Sequence, residues 1–111
     1  MNTSPRLDEQ VLITLRDVMG DDFSLLIETY ISDAEVRLNA LAASIAQRDA
    51  DTLRRAAHSF KGSSFNIGAL RLGAYCDEME ALALAGDSAH WEQQLKRIQE
   101  EYVEVEKLLH L

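Results

Sequence analysis

The residues of this sequence best suited to chemistry lie in one stretch, Ala56-Ala57-His58-Ser59-Phe60-Lys61-Gly62-Ser63-Ser64-Phe65-Asn66-Ile67-Gly68-Ala69. As a helix, it places Leu53, Ala56, Ala57, Phe60, Ser64 and Ile67 at three- and four-residue steps, forming one apolar or small face. At about 100° per residue, His58 falls nearly opposite the centre of that face. Arg54, Arg55, Lys61, Gly62 and Phe65 share its exposed side. A histidine facing solvent, with a lysine one turn on and two arginines one turn back, suits a charged reaction at an imidazole. An imidazole of reference pKa about 6.5 is largely neutral near pH 7, which leaves one ring nitrogen free to attack.

The elements that must position this stretch are helical. Leu7, Val11, Leu15 and Val18 repeat at helical spacing up to Gly20, which ends a short first helix. Asp21 or Asp22 is expected to cap a long second helix. Its apolar stripe comprises Phe23, Leu26 or Ile27, Tyr30, Ala34, Leu38, Leu41 and Ile45. Asp49 is a plausible cap for the His58 helix, which closes at Asn66-Ile67-Gly68. The next helix is expected from about Leu70 to Ala85, with Leu72, Tyr75 or Cys76, Met79 and Leu82 inward and Gly86 ending it. Asp87 or Ser88 is expected to cap the last, whose seam is Trp91, Leu95, Ile98, Tyr102, Val105 and Leu109. Residues 1–6 read as a loose lead-in. The expected fold is all-α: an antiparallel up-and-down four-helix bundle, with the short additional N-terminal helix across one end.

Composition narrows the function classes. A chain of 111 residues is expected to form a single domain, 1–111, with one core. With 47% hydrophobic residues, one proline and five glycines, it favours helix over sheet or disorder. A net charge of −8 argues against generic binding to nucleic acid or anionic membrane. A lone cysteine, Cys76, rules out an intrachain disulfide and reads as a core residue. Met1 to Pro5 is short and polar, unlike a signal peptide, and no apolar run approaches a membrane span, so a cytoplasmic location is expected. There is no glycine-rich phosphate cradle, no receiver-type acidic cluster, and no histidine pair at metal-binding helical spacing.

His58-x-x-Lys61-Gly62, followed by small residues and Gly68-Ala69, resembles the signature of histidine-containing phosphotransfer (HPt) domains, of the free-standing bacterial type. The motif covers about a dozen residues, and the helical layout extends the similarity to nearly the whole chain. The resemblance implies a phosphorelay intermediate, not an enzyme with an ATP site. His58 would be the phosphoacceptor, taking a phosphoryl group from a receiver-domain aspartate of a hybrid histidine kinase and passing it to a response regulator. Lys61 would compensate phosphoryl charge. Glu80, 22 residues after the histidine, stands where the family commonly places a Glu or Gln that orients the imidazole. No cofactor is implied; magnesium would belong to the receiver.

Arg54, Arg55, Gly62 and Phe65 are the expected partner-docking residues, and a monomer is expected. Other readings stand beside these. Glu80 is alternatively an ordinary surface glutamate, Gly62 a packing glycine and the Arg54-Arg55 pair an offset for Asp51. Phe65 either faces a partner or tucks against the next helix. A reading from a different class is a helical adaptor that binds receiver domains without phosphotransfer.

Overall fold

A computed structural model describes residues 5–110. These form five α-helices: α1 (Glu9–Met19), α2 (Phe23–Ala46), α3 (Ala50–Asn66), α4 (Leu70–Ala85) and α5 (Trp91–Leu109). Among the described residues there is no strand. The body measures 43 × 32 × 19 Å, and the short dimension fits two layers of helices about 10 Å across.

The core is built from the periodic positions. Ile27, Tyr30, Ala34, Leu41 and Ile45 of α2 meet Leu53, Ala57 and Phe60 of α3, Leu72, Cys76 and Met79 of α4, and Trp91, Ile98, Tyr102 and Val105 of α5. The Phe60 and Tyr102 rings sit 6.5 Å apart in a tilted pair. Burial pushes the Cys76 thiol up to about 12, as expected for a core cysteine, not a reactive one. Two side-chain hydrogen bonds join helices at the core. Tyr30 Oη and Ser64 Oγ share a 2.9 Å hydrogen bond between α2 and α3. Gln94 Nε2 donates to the Tyr75 carbonyl at 2.8 Å, joining α5 to α4.

Asp49 caps α3 as expected, its side chain accepting from the Thr52 amide at 3.1 Å. Two other expected caps do not form. Asp22 makes no side-chain cap, because a 3-10 turn over Gly20–Asp22 carries the chain directly into α2. Asp87 and Ser88 do not cap α5 either: a second 3-10 turn, Ser88–His90, intervenes, and Asp87 accepts instead from His90 Nδ1 at 3.0 Å. The first helix also begins later than Leu7 and buries no residue completely; Val18 is 79% exposed. It lies on the surface through half-buried Val11, Leu12 and Leu15.

The reading of residues 1–6 as a loose lead-in fails at Arg6; Met1 to Ser4 lie outside the described residues. Arg6 Nε donates to Glu101 Oε2 at 2.8 Å, its Nη2 donates to Oε1 at 3.2 Å, and its carbonyl accepts from the Leu70 amide at 3.1 Å. A buried carboxylate needs a cation, and this one draws the N-terminal segment onto the α3–α4 turn. At that turn Gly68 has φ +86°, and a Cβ there would stand 3.2 Å from the Asp8 carbonyl oxygen. Glycine is therefore favoured by the positive φ, and the close approach of the Asp8 carbonyl leaves little room for a side chain.

The Tyr30–Ser64 pair sits on the buried face of the histidine helix, so it bears on how α3 is held. Tyr30→Phe leaves the Ser64 hydroxyl without its partner and is expected to lower stability by about 1–2 kcal/mol in urea unfolding. Adding Ser64→Ala should cost less than the two single changes together, whereas strict additivity would mean the pair is not coupled.

Candidate functional site

His58 is the ninth of the 17 residues of α3, so its backbone is fixed by helix on both sides. The side chain is 64% exposed. Across from it, α4 runs in the opposite sense: His58 meets Glu80, Lys61 meets Glu80 and Asp77, and Phe65 meets Gly73. Partners thus step up α3 as they step down α4.

The centre of the site is the Glu80 carboxylate, only 15% exposed. His58 Nδ1–H donates to Oε2 at 2.9 Å, and Lys61 Nζ donates to Oε1 at 2.7 Å. Lys61 also donates to Asp77 Oδ1 at 3.3 Å. The hydrogen bond from Lys61, assisted by that from His58, holds the Glu80 carboxyl below its usual range despite partial burial. The same contacts, Glu80 first and Asp77 second, raise the Lys61 ammonium. An ionised carboxylate can only accept, so the proton on His58 is assigned to Nδ1. Nε2 has no hydrogen-bond partner among the described residues, on a side chain that is 64% exposed.

The other residues singled out from the sequence are placed as follows. Gly62 lies beside His58 in open space: a Cβ there would meet nothing within 4 Å, so packing between helices does not require this glycine. Arg54 and Arg55 turn toward Asp51, at 3.3 and 3.2 Å, and not toward the Glu80 cluster. Their resting geometry is the charge offset. Phe65 does both things open to it: its ring packs on α4 at Gly73 while 41% of the residue remains exposed. A Cβ on Gly73 would fall 2.5 Å from Phe65 Cε1, so this glycine makes room for the ring. Asp77 was not among the residues singled out, since only the register between α3 and α4 brings it to Lys61. Among the described residues no three His, Cys, Asp or Glu side chains converge to hold a metal ion. No helix among them is long and apolar enough to cross a membrane.

Residues 25–108 match the family model of the Hpt domain. The chain belongs to the Hpt domain family. Among solved structures, this Hpt chain is similar to histidine-containing phosphotransfer protein B (HptB) of Pseudomonas aeruginosa PAO1. The TM-score is 0.93 at 38% identity, over 97% of this chain and 94% of that one. It is also similar to the histidine-containing phosphotransfer protein MtHPt2 of Medicago truncatula, with a TM-score of 0.77 and 26% identity over 95% of this chain and 72% of that one. No curated protein matches the sequence. The helical architecture is that of the Hpt fold.

The ionic pair at the site makes stability depend on pH in a defined sense. Because the Glu80 pKa is depressed on folding, its contribution is whole above the ordinary 4.5 and is lost as pH falls through the lowered value. Because the Lys61 pKa is raised, its contribution is whole below 10.5 and is lost as pH rises through the raised value. The stability gap between wild type and Glu80→Gln, followed by urea unfolding, should be widest near neutrality and close below pH 4.5. A gap that is constant into acid would contradict this.

Gly73→Ala should lower stability by about 1–3 kcal/mol by driving Phe65 off α4. In a Phe65→Ala background the same change should cost much less.

Proposed function

We propose that this Hpt domain is a phosphorelay intermediate that carries a phosphoryl group on His58. The donor would be the aspartyl phosphate of a receiver domain in a hybrid histidine kinase, and the acceptor the aspartate of a response-regulator receiver. The single observation that carries the reading is the Glu80 carboxylate accepting from His58 Nδ1–H while the His58 side chain stays largely exposed. This is an oriented imidazole on a fixed helix, which is what phosphoryl transfer asks of a protein carrier.

In the proposed step the Nε2 lone pair attacks phosphorus. The N–P bond forms as the P–O bond to the receiver carboxylate breaks, and that electron pair leaves with the carboxylate. Nδ1 keeps its proton. The ring becomes positive, and Glu80, already at 2.9 Å, balances that charge. Lys61, one turn along, compensates the phosphoryl oxygens. Gly62 leaves room for the receiver to approach. Arg54 and Arg55 offer positive potential to its acidic pocket, and the exposed part of Phe65 an apolar contact. Magnesium would be held by the receiver, and this chain would need no cofactor of its own.

The protein is then a carrier with no turnover apart from its partners. Its scaffold, on this reading, is one domain, an antiparallel up-and-down bundle with α1 across one end. It would act as a monomer in the cytoplasm.

Incubation with a phosphorylated receiver domain tests this. The expected product is label on the protein that is labile in acid, stable in alkali and absent from His58→Gln. Lys61→Ala should slow uptake by about tenfold or more without unfolding the bundle. Receiver binding without any label would make the protein an adaptor instead, and label retained by His58→Gln would remove His58 from the mechanism.

A further inference from the structure

The Lys61 ammonium has three N–H donors, and two already point at carboxylates. Glu80 takes one at 2.7 Å and Asp77 another at 3.3 Å. The two acceptors differ in kind. Glu80 is mostly buried and engaged through both oxygens, one with Lys61 and one with His58. Asp77 is 65% exposed, and its described hydrogen bond is the longer one to Lys61, with none described to His58. A phosphoryl group on Nε2 would bring about two negative charges to the end of the ring nearest solvent. Glu80 must then stay with the positive ring, so Asp77 is the partner from which Lys61 charge is drawn.

We infer that Asp77 is a positioning residue that sets how strongly His58 retains its phosphoryl group, by competing with that group for the Lys61 ammonium. The inference rests on the phosphorelay reading above. In the unphosphorylated protein the Asp77 carboxylate is compensated by Lys61. In the phosphorylated protein Lys61 is shared or withdrawn, and that compensation of Asp77 is lost. Asp77 therefore favours the unphosphorylated state and makes phospho-His58 a readier donor.

The step concerned is reversible and balanced. In one direction the N–P bond forms and the P–O bond to the receiver breaks. In the other, the receiver carboxylate takes phosphorus and the N–P electron pair returns to Nε2. Asp77 exchanges no proton in either direction; it changes only the relative energy of the two ends.

The decisive measurement is the equilibrium division of label between this protein and a phosphorylated receiver domain, for wild type, Asp77→Asn, Lys61→Met and the double variant. This ratio compares free proteins and does not depend on how tightly they dock. Asp77→Asn should move the label toward His58 by about three- to tenfold, the effect of one nearby charge in a largely aqueous setting. In the Lys61→Met background the same substitution should shift the ratio much less, which a purely structural role would not produce. Thermal melting controls for folding, and Asp77→Ser repeats the test should Asp77→Asn be unstable.

An unchanged ratio, a shift toward the receiver, or a shift of equal size without Lys61 would each overturn the inference while labelled wild type leaves the carrier reading intact. Wild type that takes no label at all would remove that reading, and this inference with it.

Discussion

One carboxylate is shared by two helices' worth of chemistry. Glu80, from α4, accepts at the same time from the His58 imidazole and the Lys61 ammonium of α3. Neither contact survives a change of helix register, because His58 and Lys61 lie one turn apart and must face the same two oxygens. The rest of the structure supplies that register. Gly68 turns the chain tightly between α3 and α4, the Asp8 amide closes on the Gly68 carbonyl at 2.8 Å, and Arg6 ties the same corner to Glu101. Farther along, the Phe65 ring over Gly73 leaves no space for the helices to slide. A tight turn, its tie to the N-terminal segment and one aromatic contact thus hold a partly exposed ion cluster, whose pairs are weak on their own where water reaches them.

The site is cationic only in its residues, not in its resting charge. Lys61 is matched by Glu80 and Asp77, and both arginines by Asp51, in a chain of net charge −8. Free positive charge is therefore absent from the described site until something more negative competes for it. An incoming phosphoryl group would be such a competitor. On the carrier reading this arrangement would let charge compensation arise at the moment of transfer and disfavour casual binding of small anions at rest.

Much of this was legible in the sequence because its signals are local. The face of α3 opposite His58 is set by spacing alone, and Leu53, Ala57, Phe60 and Ser64 are buried where helical periodicity puts them. Glu80 was reachable only through the family resemblance, its distance along the chain being a register rule and not a property of either helix. Asp77 has no such rule and went unremarked as a partner of Lys61. The Tyr30–Ser64 and Arg6–Glu101 pairs are separated by 34 and 95 residues, and each depends on how whole helices sit together. Local propensity also fails at the starts of α2 and α5, where 3-10 turns, and not capping side chains, lead the chain in.

The exposure of His58 has a further physical consequence. The cavity of about 300 Å³ among α1, α2 and α3 is lined by residues such as Leu15, Leu26, Tyr30 and Ile67, and His58 is not part of it. The imidazole is 64% exposed, so water is not excluded from it. Electrostatic stabilisation of a transition state is strongest in a dry, preorganised setting. On the carrier reading, such an open site would contribute the nucleophile, its orientation and a countercharge, and the dry walls would come from the receiver that docks on it. Gly62, with open space where a side chain would project, would on that reading keep the surface low beside His58. On the carrier reading this division explains how a phosphohistidine could persist between partners: the groups that would accelerate its loss are absent until a receiver supplies them.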